Sequence, residues 1–305
     1  MRRYTMLVRG TLLLAALALV APVPAQAKDT VGLSISTLNN PFFVTLRDGA
    51  RAAAQKAGLD LVVLDAQDKV DKQVADIEDL VQKKVKVILI NPTDAAAVVP
   101  AIKRANTAGI PVITVDRGAG GGAVAFHIAS DNVAGGKLAG DLVCKLLGGK
   151  GKAVELEGIP GSSAARDRGQ GFNAALKAGC PGVAVVSRQT ANFDRAQGLT
   201  VMENVLQAQP AIDAVFAHND EMALGALQAV RASKRPIRIV GFDATDDAVK
   251  SVEACELKAT VAQQPSEMGR LAVEKAASLA KGAKAPAATE FIPVALRLVT
   301  SGKCK

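Results

Sequence analysis

A small set of side chains carries the chemistry this sequence can offer. It comprises the amides Asn40, Asn91, Asn219 and Gln263, the carboxylates Asp116 and Asp243, the guanidiniums Arg117 and Arg168, and the rings Phe42, Phe43, Phe193 and Phe242. Most of them follow a short apolar run or open a helical stretch. Asp accepts hydrogen bonds, Arg donates from a planar fork, and Asn and Gln do both. A neutral polyol needs that mixture, because each hydroxyl donates once and accepts through its lone pairs. Bonds to charged partners are the stronger ones, and the C–H faces of a sugar ring pack on aromatic faces. Two Arg facing two Asp leave no surplus cation for a phosphate. No His, Cys, Ser or Lys is placed as an obvious nucleophile or base.

Each residue alone has a plainer reading. Asn91-Pro92 and Asn219-Asp220 suit helix N-caps, and Asp116 and Asp243 suit turns. Phe42 and Phe43 could be core, and Arg168 a surface partner of Asp167. What outweighs these readings is recurrence at equivalent places in both halves of the chain.

The elements that must position these groups are legible as alternation. Val31–Ser36, Leu59–Asp65, Val85–Asn91 and Pro111–Asp116 are strand-like runs, separated by helical spacing over Phe42–Ala57, Val70–Gln82 and Ala95–Ala108. The rhythm resumes with Ala153–Glu157, Val183–Ser187, Ala214–Ala217 and Ile237–Phe242, with helices expected over Ala164–Ala178, Arg195–Gln207 and Glu221–Ala232. Ala57-Gly58, Ala108-Gly109-Ile110-Pro111 and Gly148-Gly149-Lys150-Gly151 punctuate as loops. Repeated β-α units of this length predict an α/β fold of doubly wound parallel sheets. Right-handed crossovers place all strand C-termini on one edge, where open sheets bind ligands. The pattern of an apolar strand ending in Asn, then a helix, occurs at Ile88–Asp94 and again at Val215–Glu221. A strand ending in Asp likewise occurs at Pro111–Asp116 and Ile239–Asp243, so two similar lobes are expected.

Composition narrows the function further. The chain has 305 residues, 49% of them hydrophobic, with 27 Gly and 13 Pro, which excludes general disorder. It has no Trp, one Tyr and eight Phe, so base stacking on many rings is excluded. The formal charge of +8 is spread along the chain beside acids, and no nucleic-acid partner is expected. Residues 1–27 read as a secretory signal peptide: Arg2, Arg3 and Arg9, the apolar run Leu12–Ala21, and the cleavage-like Ala25-Gln26-Ala27. Arg2-Arg3 alone does not make a twin-arginine signal. Cys144, Cys180, Cys255 and Cys304 lack metal-site spacing, and export permits disulfides, with Cys144–Cys180 and Cys255–Cys304 favoured among three pairings.

Other motifs carry little. Gly118-Ala119-Gly120-Gly121-Gly122-Ala123 follows a strand but leads into another strand-like stretch, Ala123–Ala129, so it reads as a loop without a cofactor. His127 and His218 are the only histidines, and neither a metal site nor a His-based triad is expected.

With these residues in view, the whole chain after residue 27 resembles the type I periplasmic binding proteins of bacterial sugar ABC importers, in particular their ribose-binding branch. The resemblance rests on Ser36–Phe43, Leu89–Asp94, Val115–Arg117, His127–Asn132, Ser163–Gly169, Asn192–Arg195, His218–Ala226, Gly241–Asp243 and Ala262-Gln263. It implies two Rossmann-like lobes joined by a three-stranded hinge that closes on a pyranose. One lobe would comprise residues 28–130 and 264–292, the other 131–263 and 293–305. Phe42, Phe43 and Phe193 would cover the ring faces, with Phe242 lining the pocket. Asn40, Asn91, Asp116, Arg117, Arg168, Asn219, Asp243 and Gln263 would bond the hydroxyls. The implied protein is a monomeric, non-enzymatic periplasmic receptor that needs no cofactor. Its expected partners are a monosaccharide, a membrane permease and a chemoreceptor. Allose, xylose and galactose are the alternative sugars. A DNA-binding repressor with the same core would need a helix-turn-helix where the leader stands, and a secreted Rossmann-type enzyme would need a nucleophile, metal or cofactor cradle. The Gly118–Gly122 run and the cysteines lie outside the family pattern.

Overall fold

The computed structural model describes residues 28–304. The expected leader, residues 1–27, lies outside the described residues. The first sheet is built from β1 (Thr30–Ile35), β2 (Asp60–Asp65), β3 (Val87–Ile90), β4 (Val112–Val115) and β5 (Phe126–Ala129), alternating with α1 (Pro41–Ala57), α2 (Val70–Gln82) and α3 (Val99–Thr107). The chain then passes through α4 (Asn132–Leu146) into β6 (Lys150–Glu157), α5 (Ser163–Gly179), β7 (Gly182–Thr190), α6 (Arg195–Ala208) and β8 (Ala214–Ala217). It continues with α7 (Asp220–Ser233), β9 (Arg238–Asp243), α8 (Asp246–Glu253), β10 (Ala259–Ala262), α9 (Pro265–Ala280), β11 (Glu290–Pro293) and β12 (Arg297–Thr300).

Two six-stranded sheets result, ordered β11-β5-β4-β3-β1-β2 and β12-β10-β9-β8-β6-β7. All their ladders are parallel except β10 with β12, where Ala262 faces Arg297. The chain moves between sheets three times: after β5, after β10, and between β11 and β12. Strands such as Val-Ile-Leu-Ile of β3 are buried along their whole length, as parallel strands covered on both faces should be. Two disulfides, Cys144–Cys180 and Cys255–Cys304, staple the second lobe. The former pins the end of α4 to the end of α5, and the latter ties the C-terminus to the turn after α8.

Helix ends follow local chemistry. Asn40 Oδ1 accepts from the Phe42 N–H at 2.9 Å, Pro41 opens α1, and Gly58 closes it with φ 72°. Two boundaries differ from the sequence expectation. The stretch expected as a helix from Ala95 becomes one only at Val99, because Asp94 Oδ1 accepts from the Ala96 and Ala97 N–H groups, both at 2.8 Å, and holds a turn there. The loop expected through Gly151 ends at Gly149, because Lys150 already pairs with Gly182 in the sheet.

α4 and α5 cross at glycines, and this crossing sets the backbone that carries Arg168. A Cβ on Gly136 would lie 2.1 Å from the Arg168 carbonyl oxygen, and one on Gly171 would lie 2.0 Å from that of Val133. No larger residue fits at that spacing.

Candidate functional site

The strand ends of both sheets converge on one narrow cleft, whose atom-free space, its mouth to solvent included, is about 230 Å³. Its lining includes Asn40, Phe42, Phe43, Asp116 and Arg117 from the first lobe. The second lobe and the crossing after β10 supply Arg168, Phe193, Asn219, Asp243 and Gln263. Ala164, which the sequence reading did not single out, completes the lining. Asn91 and Phe242 belong to the site but stand behind its wall. Phe242 is fully buried and lies under the Arg168 guanidinium, whose carbon is 3.8 Å from the ring centroid.

Asn91 is no helix cap. Its oxygen accepts from the Ser36 N–H at 3.2 Å, and its Nδ2 donates to the Val115 carbonyl at 3.1 Å and to Asp116 Oδ2 at 3.2 Å. It thereby fixes the Asp116 carboxylate from β3. Asp116 itself turns out of β4 with φ 60°, a left-handed conformation that Asp tolerates better than most residues. Asn219, by contrast, both caps α7 and faces the cavity. Its oxygen accepts from the Met222 N–H at 2.9 Å, while its Nδ2 donates to the Phe193 carbonyl at 3.1 Å.

The two guanidiniums are held differently. Arg168 Nε donates to Asn132 Oδ1 at 2.8 Å, and its Nη1 donates to the His218 carbonyl at 2.5 Å and lies 3.7 Å from Asp243 Oδ1. It is therefore no surface partner of Asp167, which pairs with Arg166 instead. The Arg117 guanidinium carbon lies 5.1 Å from the Phe43 ring centroid and 5.0 Å from that of Phe193, so it joins aromatic rings of opposite lobes. Its Nε is 3.9 Å from Asp116 Oδ2.

Burial governs the ionisation of this cluster. It pushes Asp116 upward against the opposing charges of Arg117 and Arg168 and the Asn91 hydrogen bond, and pulls both arginines downward. Asp243 is pushed well up by burial, with the nearby Arg168 charge opposing. Asp68, absent from the sequence reading, is also raised by burial and opposed by the charge of Arg117. Its place is set by the turn after β2, where its N–H donates to the Ser36 carbonyl at 2.7 Å. No simple motif marks such a residue.

Two acceptors in this cavity lack a partner: Asp116 Oδ1 and Gln263 Oε1, both buried. Gln263 spends its Nε2 on Asp243 Oδ1 at 2.8 Å, leaving its oxygen free. Buried acceptors without donors are costly, and a ligand hydroxyl is the donor they match. The lobes are drawn together around them. The Gly118 N–H donates to Ser163 Oγ at 2.8 Å, and the Ala95 N–H donates to the Gly161 carbonyl at 3.1 Å. The Gly118–Gly122 loop thus contributes a contact across the lobes. His127 stays outside the site: its Nδ1 meets Thr114 Oγ1 at 2.9 Å and its ring lies against Phe291. Among the described residues, no cluster of three or more His, Cys, Asp or Glu could hold a metal.

A family model described as periplasmic binding protein domain matches residues 31–284. The ribose import binding protein RbsB of Escherichia coli K12 is 52% identical over 290 residues, covering 94% of this chain and 96% of its own. Its counterpart of the same name in Haemophilus influenzae is 49% identical over 300 residues, covering 98% and 100%. Among solved structures, the Caulobacter myo-inositol binding protein bound to myo-inositol superposes with a TM-score of 0.86 at 36% identity, covering 92% of this chain and 96% of that one.

Proposed function

This chain belongs to the periplasmic binding protein family, and on that premise we propose that it captures D-ribose in the periplasm and hands it unaltered to the permease of an ABC importer. The lobes that close on the sugar would be residues 28–130 with 264–292, and residues 131–263 with 293–305. A chemoreceptor reading the closed form is a second proposed partner.

The observation that carries this reading is the pair of unpartnered acceptors, Asp116 Oδ1 and Gln263 Oε1, in a cavity whose charges offset each other. A neutral polyol donates to both without bringing a charge that two Arg and two Asp would have to absorb. Arg117, Arg168 and Asn219 supply donors for the hydroxyl lone pairs. Phe42, Phe43 and Phe193 supply apolar faces for the ring. Nothing in this set activates a water or a nucleophile, so the sugar leaves as it came.

Closure follows from differential binding. Asp116 and Arg117 belong to one lobe, Arg168, Asn219 and Asp243 to the other, so only the closed form presents both halves of the grip. A ligand satisfied by both halves therefore shifts the hinge toward closure. The ribose import binding proteins at about half identity favour ribose over other sugars as the ligand.

A thermal-shift panel of ribose, allose, xylose, galactose, myo-inositol and ribose 5-phosphate tests the assignment. Ribose at a hundredfold its dissociation constant should add about 2.7 kcal/mol of stability. Stabilisation by a different sugar alone would replace ribose, and stabilisation by none would remove the sugar reading.

A further inference from the structure

Asp220 is a fully buried carboxylate that the grip on sugar leaves unused. It is the first residue of α7, immediately after the cavity-lining Asn219. Its Oδ2 accepts from the Thr245 N–H at 2.8 Å and from Thr245 Oγ1 at 3.3 Å. Its Oδ1 accepts from Thr260 Oγ1 at 2.7 Å. Thr260 Oγ1 in turn accepts from the Ala244 N–H at 3.1 Å. The carboxylate therefore holds the two backbone amides that follow Asp243, one directly and one through Thr260.

That turn needs holding. Asp243 sits at φ 119° and Ala244 at φ 57°, conformations that L residues adopt only when their surroundings impose them. The carboxylate is also pressed onto the sheet beneath the turn. A Cβ on Gly241 would lie 2.3 Å from Asp220 Oδ1, so β9 admits only glycine there. Thr260 lies in β10, three residues before Gln263, whose Nε2 donates to Asp243.

We propose that Asp220 is a positioning residue for sugar binding, a clasp that locks the strained Asp243 turn and sets Asp243 in register with Asn219 and Gln263. The proposal rests on the sugar-receptor reading, in which Asp243 accepts from a ligand hydroxyl. The clasp gathers the ends of β8, β9 and β10 on one carboxylate, and those ends carry three of the second lobe's polar contacts. Stability alone is a poor reason for it. Among the described residues no cation lies within hydrogen-bond distance of Asp220, and burial pushes its carboxyl up to about 7. A buried acid held by neutral donors is a costly way to fasten a fold, but an exacting way to aim one turn.

A double-mutant cycle read by calorimetric titration with D-ribose tests this. Asp220→Asn and Thr260→Val are each measured in the wild-type and the Asp243→Asn backgrounds. If the clasp acts through Asp243, each should weaken ribose binding about tenfold in the wild-type background and by less than about twofold once Asp243 is changed. Thr260→Val keeps the β-branched shape in its strand, so it carries the test should Asp220→Asn not fold. Equal losses in both backgrounds, or no loss in either, overturn the clasp while leaving the receptor reading intact. Failure of the wild-type protein to bind ribose overturns both.

Discussion

Replacing Asp116 by alanine isolates one half of the grip. In the folded protein Asp116 Oδ2 is occupied by Asn91 and lies near Arg117, whereas Oδ1 is buried without a donor. The substitution removes one acceptor for a ligand hydroxyl, and a hydrogen bond to a charged group is worth about 1.5–3 kcal/mol. That corresponds to a loss of about tenfold to 150-fold in affinity. Alanine is also less tolerant than Asp of the left-handed backbone at this position, so it bears more of the roughly 1–2 kcal/mol that the conformation costs an L residue. Free and bound protein share that penalty, so it lowers the melting temperature and cancels from the dissociation constant. Asp116→Asn, which suits φ 60° as well as Asp does, separates the two effects: stability is kept while binding still weakens. Calorimetric titration with ribose reads the affinity and a thermal melt reads the fold. An unchanged dissociation constant in both variants would remove Asp116 from the site and with it the argument from its unpartnered oxygen.

Further outcomes follow from other parts of the structure. Gly161 has φ 88°, and a Cβ there would lie 2.1 Å from Asp94 Oδ2 across the lobe interface. Gly161→Ala should therefore disfavour closure and weaken ribose binding about tenfold with every contact residue intact, and small-angle scattering should show a more open free protein. Changing Cys255 and Cys304 to serine opens a bridge with a sequence separation of 49, and should lower unfolding stability in urea by about 2–4 kcal/mol while barely altering affinity. Asp220 is raised to about 7 by burial, so the stability it contributes is complete below the ordinary carboxylate range and is lost as pH rises through 7. The melting temperature of ligand-free wild type should thus fall between about pH 4 and 7 relative to Asp220→Asn, by an amount equivalent to at most about 4 kcal/mol. A parallel pair of profiles would contradict that burial.

Much of this architecture was legible because parallel strands advertise themselves as short apolar runs. Val70–Gln82 and Ala214–Ala217 coincide with the observed elements to the residue. What the runs cannot show is how the chain returns. α4, α9, β11 and β12 escape a reading by periodicity: α4 is glycine-rich where it meets α5, and Glu290–Pro293 is a four-residue edge strand that is mostly exposed. Its pairing with β5 is a long-range event, invisible locally.

The same limit applies to the site. Asp116 and Asp243 were legible as acids at strand ends, and the cavity does gather them with the amides and arginines. The division of labour was not legible. Asn91 and Phe242 support Asp116 and Arg168 from behind, because the packing of β3 and β9 turns them inward. Phe43 and Phe193 flank a guanidinium in this structure, an arrangement only the meeting of two lobes creates. Asp68 and Asp220 matter through tertiary neighbours that lie far apart in the chain.

The central claim is that two lobes with offsetting charges grip an uncharged sugar. Isothermal titration of the purified chain from Lys28 onward with D-ribose and, separately, with ribose 5-phosphate tests it most directly. Saturable binding of one ribose per chain is expected, with no measurable binding of the phosphorylated sugar. Absence of heat with ribose, or equal affinity for the phosphate, would contradict it.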